Sequence, residues 1–185
     1  MIISTYLGNS GRKYERTRHN IAWMMLERLS FYSRLNWISK FKGDYARAAE
    51  PESIHLKPAT LMNNSGESLA AALNFFKLSH QQLIVVHDDL ELPFGTIQLK
   101  KGGGAGGHNG LRSIIKLTGG ADFYRFRMGI SRPPANREVS SWVLSRFSPD
   151  EEAHLDDFCR EAAEIFESAL SGGLKPGNKT QILNF

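Results

Sequence analysis

The chain has 185 residues, 41% of them hydrophobic and 23% charged, with a formal net charge of +4 and a single cysteine. That length suits one domain with a sizeable core, and the lone Cys159 forbids an internal disulfide or a multi-cysteine zinc site. No apolar run is long enough to span a bilayer, and MIISTYLGNSG lacks the basic start and long apolar stretch of a signal peptide, so the expected location is the cytoplasm. The charge is unevenly placed, with eight acidic side chains against one arginine in residues 150–170, a net −7 that leaves the remainder at +11. A basic body of this kind suits a polyanion such as nucleic acid, although solvated surface charge gives the same count.

In chain order, Met1 to Leu7 reads as a strand ended by the turn chemistry of Gly8-Asn9-Ser10-Gly11. A polar, basic connection then leads to a helix with Ile21, Met24, Met25 and Leu29 on one face, which puts His19 and Asn20 at its start beside Asn9, Tyr14 and Arg18. Weakly patterned strands are expected over Asp44 to Ala49 and Ser53 to Leu56, the second closed by Pro58. The following helix is expected to be capped at Asn64 or Ser65 and to bury Leu69, Ala72, Leu73 and Phe76, so Asn63 fits a capping role as readily as a chemical one.

Gln82 to Val86 is a continuous apolar run, the pattern of a central strand buried on both faces. It delivers His87, Asp88 and Asp89 at its carboxyl end, where α/β sheets place their ligand crevice. Another strand, Thr96 to Lys100, runs into KKGGGAGGHNG. That stretch has almost no side chains to bury, so it reads as a backbone-lined surface open to close approach. Lys100 and Lys101 favour an anionic ligand there, and His108 and Asn109 are its remaining functional side chains.

A short helix with Leu111, Ile114, Ile115 and Leu117 should follow, then a strand over Phe123 to Ile130 with Arg125 and Arg127 on one face. Ser131 to Arg146 reads as a loop. Ser148 as N-cap, Pro149 and Glu151 open a long helix whose stripe is Leu155, Phe158, Cys159, Ala162, Ile165, Phe166 and Leu170, stopped by Gly172-Gly173. Its acidic outer face and the loop before it are expected to act as a movable cover over the cleft. The fold class is α/β, a single domain over residues 1–185 with a twisted mixed sheet and helices on both faces.

Several chemistries lack their residues. There is no G-x-S-x-G elbow and no P-loop. Gly102, Gly104 and Gly107 match a dinucleotide fingerprint, but the acidic residue that should follow, Asp122, precedes the next strand instead of ending it. Asp88, Asp89 and Glu91 could hold a divalent metal with His87 or His108. No paired histidine spacing accompanies them, so no metal is expected.

The segments GNSGRKYERTRHN, KPATLMNNSG, IVVHDDLELPFG and KKGGGAGGHNGLRSI resemble, in order along essentially the whole chain, the bacterial-type peptidyl-tRNA hydrolases. The resemblance implies a monomer without metal or organic cofactor that cleaves the ester between a peptide and the terminal ribose of tRNA. It makes His19 the general base and Asp88 its orienting carboxylate, with Asn9, Asn63 and Asn109 positioning peptide, water and oxyanion. Tyr14, Met62 and His108 would line the cleft. Lys100 and Arg127 would meet the phosphate at the 5′ end of the tRNA, with Arg125 an alternative on the same strand. The sequence departs from the family pattern at Tyr6 and Ala22, where glycine is usual, and at Ser10, where proline is. The rival is a non-catalytic, splicing-factor-like RNA-binding member of the same fold, against which the presence of His19, Asp88 and all three asparagines weighs.

Overall fold

In the computed structural model, which describes residues 1–183, the apolar runs of the sequence become the middle of one mixed sheet. The elements in chain order are β1 (Ile2–Tyr6), α1 (Ile21–Leu26), β2 (Ile38–Lys40), β3 (Gly43–Ala48), β4 (Ser53–Pro58), α2 (Ser65–Phe76), β5 (Leu83–Asp89), β6 (Thr96–Lys101), α3 (Asn109–Thr118), β7 (Tyr124–Gly129), α4 (Val139–Val143), α5 (Pro149–Gly172) and β8 (Thr180–Gln181). The strand order is β2-β3-β4-β1-β5-β7-β6-β8. The inner strands β4, β1, β5 and β7 run parallel, and β2, β3, β6 and β8 pair antiparallel at the two flanks.

The apolar run in β5 follows from burial on both faces. Ile84 and Val86 pack toward α1 and α5, Leu83 and Val85 toward α2 and α3, and all four are fully buried. Each such side chain stabilises the fold by about 1.5–3 kcal/mol relative to exposure. Because β1 and β5 are parallel neighbours, their carboxyl ends open side by side, and the Leu7 amide still bonds the Val86 carbonyl at 3.0 Å. The chain leaves β1 into the turns that carry Asn9 and His19, directly beside the end of β5.

The structure departs from the sequence reading where local pattern is thin. β2 and β8 escaped it because they are short and wholly exposed, so no alternation marks them. α1 stops at Leu26, and Leu29 is buried from the turns that follow. Phe76 is only half-buried. Within the segment read as a loop lies α4, five residues and too short for a periodic signal. α5 begins as expected, with Ser148, Pro149 and a complete capping box through Glu151. Ile165 faces solvent, however, and Ala163 takes its place in the stripe. Cys159 is buried, which pushes its thiol up to about 12.

α5 is not a movable cover. Leu155, Phe158, Ala162 and Phe166 sit in the core, and its first turns are tied to Arg16 and Arg18 through Glu152 and Glu151. The element that reaches over the cleft is α4. Among the described residues no helix is long and apolar enough to cross a membrane.

Candidate active site

Asp88, near the end of β5, is 2% exposed and is the centre of the site. Both of its carboxylate oxygens lie 2.9 Å from His19 Nδ1, and Oδ1 also lies 2.9 Å from His108 Nε2. His108 is the N-cap of α3, and its Nδ1 accepts from the amides of Gly110 and Leu111 at 3.2 and 3.4 Å. An imidazole nitrogen that accepts from two backbone amides carries no proton, so the His108 proton is on Nε2 and points at Asp88. Burial alone would raise the Asp88 carboxyl, but His19 and His108 hold it well below the usual carboxylate range. An ionised Asp88 in turn accepts from His19 Nδ1–H, which leaves His19 Nε2 as a bare lone pair.

Asn9 is fixed by the turn that carries the histidine. Its amide donates to Asn20 Oδ1 at 2.8 Å, and Asn20 Nδ2 donates back to the Asn9 carbonyl at 3.0 Å. The Met62 amide donates to Asn9 Oδ1 at 2.7 Å, which fixes the orientation of the Asn9 side chain and leaves its NH₂ group as a donor. Met62 reaches on toward α3. A Cβ at Gly110 would sit 2.7 Å from Met62 Sδ and 3.1 Å from His108 Cε1, which is why glycine stands there. Asn109 Oδ1 accepts from Arg112 at 2.8 Å, again leaving an NH₂ donor. Asn63 is exposed in the turn before α2, and Tyr14 is half-buried under Lys13.

A cavity of about 500 Å³ runs from His19, Asp88, His108 and Asn109 along the glycine loop to Lys100, Arg125 and Arg127, with Glu138, Val139, Ser140 and Val143 around α4 among its lining. Asn9, Tyr14, Met62 and Asn63 are not in that lining, although Met62 borders it through its approach to Gly110. The loop's course requires its glycines, because Gly102, Gly103, Gly106 and Gly107 all have positive φ.

The cations at the far end of the cavity differ. Arg125 is 5% exposed and donates to the carbonyls of Gly103 and Gly104, so it braces the loop from beneath. Arg127 pairs with Asp89 through a 2.7 Å contact and also bonds Gln98. Lys101 lies 3.7 Å from Asp122. Lys100 is exposed and has no ion pair among the described residues. The basic face expected on β7 is thus mostly committed internally.

His19, Asp88 and His108 bring their ligand-type atoms within 4.8 Å of one another, the one such group among the described residues that could hold a metal. The hydrogen bonds already account for the cluster, since the His108 nitrogen facing Asp88 bears a proton. His87, which lines the cavity, bonds the Asp88 carbonyl through Nδ1 at 2.7 Å, and burial, with His108 nearby, lowers it to about 4. Two features had no assigned role in the sequence: Asn20, noted there only as one hydrogen-bonding neighbour, and the α4 wall, which carries no motif.

A histidine backed by a buried carboxylate, with amide donors around an open cavity, is the equipment of a hydrolase that activates water. A family model described as Peptidyl-tRNA hydrolase matches residues 2–182. The chain is 47% identical over 178 residues to the peptidyl-tRNA hydrolase of Wolinella succinogenes, covering 95% of this chain and 90% of that protein. It is 49% identical over 166 residues to that of Treponema pallidum, covering 86% and 82%. The crystal structure of peptidyl-tRNA hydrolase from Acinetobacter baumannii matches with a TM-score of 0.84 and 32% identity over 93% of this chain and 89% of that one. The chain belongs to the peptidyl-tRNA hydrolase family.

Proposed function

We propose that this protein hydrolyses the ester between a peptide and the 3′-terminal ribose of tRNA, with His19 as general base and Asp88 as its orienting partner. The observation that carries the assignment is the pairing of His19 Nδ1 with a buried, ionised Asp88 at 2.9 Å, which leaves Nε2 to act. Nε2 takes a proton from water as the water oxygen bonds to the ester carbonyl carbon. The carbonyl oxygen becomes an oxyanion, stabilised by an NH₂ donor from Asn109 or Asn9. Collapse breaks the bond to the ribose 3′ oxygen, which receives the proton back from His19. Free peptide and free tRNA result, with no covalent intermediate.

Tyr14, Met62, Asn63 and His108 are assigned to the walls that hold the peptide and terminal nucleotide. Lys100 is assigned to a tRNA phosphate because it is an exposed cation of the cavity with no ion pair among the described residues. Arg127 stands behind it as a second contact that becomes available if Asp89 releases it, and Arg125 acts through the shape of the glycine loop.

Incubation with N-acetylaminoacyl-tRNA tests the proposal. Release of the N-acetylamino acid by wild type, reduced about 10²–10⁴-fold in His19→Ala, is expected. RNA binding without release would favour the splicing-factor-like alternative, and a His19→Ala protein with more than half of wild-type turnover would remove His19 from the mechanism.

A further inference from the structure

Arg18 precedes the proposed base, carries a fixed positive charge, and is only 1% exposed. Its guanidinium lies 3.6 Å from the centre of the Trp142 ring in α4 and 4.8 Å from that of Phe147. Nη1 donates to the Ile130 carbonyl at 3.2 Å and to Glu151 Oε1 at 3.0 Å, and Nη2 bonds the other Glu151 oxygen. The Arg18 amide bonds the Ser145 carbonyl at 2.9 Å, and Thr17 forms a bridge with Arg146. Stability alone is a poor reason for this arrangement, since a buried ion pair is often no better than apolar residues of the same volume.

What the arrangement does achieve is geometric. His19 is bound to Asp88 on one side, while the residue before it grips the segment that contains α4, whose Val139, Ser140 and Val143 line the cavity opposite. Otherwise α4 has few anchors: Val143 is its one buried residue, and Val139 is exposed. The Trp142 indole, which also donates to the Ser131 carbonyl at 2.8 Å, is the side chain on which Arg18 stacks. Planar stacking and a bidentate carboxylate contact are both specific to arginine.

We propose that Arg18 is a positioning residue that clamps α4, through Trp142, at a fixed distance from His19 and so sets the width of the substrate cleft. The inference rests on the hydrolase reading above. Lysine in its place would keep the charge but lose the stack and the fork.

The test is steady-state hydrolysis of N-acetylaminoacyl-tRNA by Arg18→Lys, Trp142→Ala and the double variant, well below each protein's unfolding midpoint. Trp142→Ala should raise KM about ten-fold with kcat within about two-fold of wild type. Arg18→Lys should raise KM similarly and also lower kcat, because it loosens the His19 turn. The double variant should have a KM close to that of the worse single, as expected for two residues acting as one device. Wild-type KM in both singles, or a double effect equal to the product of the two, would overturn the clamp. If Arg18→Lys fails to fold, a wild-type KM in Trp142→Ala still overturns it. A wild-type protein that releases no amino acid would sink the hydrolase reading and this inference together, an outcome distinct from an active wild type with unaffected variants.

Discussion

Asp88→Asn is the most informative single change, because the structure specifies which way the new amide must face. Asp88 Oδ1 receives His108 Nε2–H, and the His108 proton cannot move, because the Gly110 and Leu111 amides hold Nδ1 as an acceptor. The asparagine oxygen must therefore take the Oδ1 position and its NH₂ group the Oδ2 position. His19 Nδ1, equidistant at 2.9 Å from both, then meets one acceptor and one donor. Its tautomer is no longer dictated, and the charge opposite the developing imidazolium is gone. Two unit charges about 4 Å apart at an effective dielectric constant of about 20 attract by about 4 kcal/mol, so kcat should fall roughly 10³-fold. The acidic limb of the pH–rate profile should move toward lower pH as well. Shape is preserved, but the fold favours the ionised carboxylate that the change removes, so the melting temperature should fall too, and rates are compared well below the variant's unfolding midpoint. The assay is single-turnover hydrolysis across pH 5–9 beside a melting curve. A variant within ten-fold of wild type, with an unmoved profile, would refute the role given to Asp88.

Lys100→Ala should raise KM on full-length peptidyl-tRNA, leave kcat nearly unchanged, and reduce the slope of log affinity against log salt by about 0.7–0.9, the share of one neutralised phosphate; a minimal substrate lacking the 5′ phosphate should be insensitive, and equal losses on both substrates would show that Lys100 is no phosphate contact. Arg127→Ala should be less clean, because it also strips Asp89 of the partner that holds its carboxyl below the usual range against the opposing effect of burial. Stability should fall as the pH drops from about 6.5 toward about 4. Burial lowers His55 and His87 to about 4, so the fold favours their neutral forms; this contribution is complete above the unfolded value of 6.5 and lost on the way down to 4. Each histidine contributes on the order of 3 kcal/mol to that loss, and urea unfolding at pH 7, 5.5 and 4.2 that gave constant stability would contradict it. Asp88 does not mask the effect, since a depressed carboxyl gives up its contribution only below the ordinary carboxylate range.

What was legible in the sequence was local. The capping box at Ser148 and Glu151, the doubly buried run of β5 and the glycine loop each announce themselves within a few residues, and all stand in the structure. Segments that match a family also made the His19 and Asp88 pair foreseeable. Other contacts across the chain were not foreseeable. Alternation correctly placed Arg125 and Arg127 on one face of β7, but it could not say that the glycine loop covers the first and Asp89 faces the second. Nor did anything in the sequence mark His108 as the second donor to Asp88, since the two are joined only by the register of β5 against the start of α3. Tyr6 lies away from the cavity lining: it is fully buried, and its hydroxyl lies 2.8 Å from His55 Nδ1.

The placement of α5's charges changes what the chain's overall polarity means. As a sequence, residues 150–170 form a −7 block that ought to repel a polyanion from any cleft beside it. In the fold, Glu151 and Glu152 face Arg18 and Arg16 of the turns that carry the proposed base, and Asp156 faces Arg28 just after α1. Asp157 is met by Arg160 of the same helix. The exposed pairs contribute at most about 1 kcal/mol each to stability, so their consequence is mainly for the field. At physiological ionic strength a charge is felt over about 8 Å, so the four ion-paired acids contribute little beyond the helix, and no residue of α5 lines the cavity. An approaching phosphate is therefore governed by the cations near the cavity itself, of which Lys100 is exposed and unpaired among the described residues. The first turns of the acidic helix and three arginines of the basic body are thus two sides of one docked interface, and the positive charge left outside it includes Lys100 at the cavity.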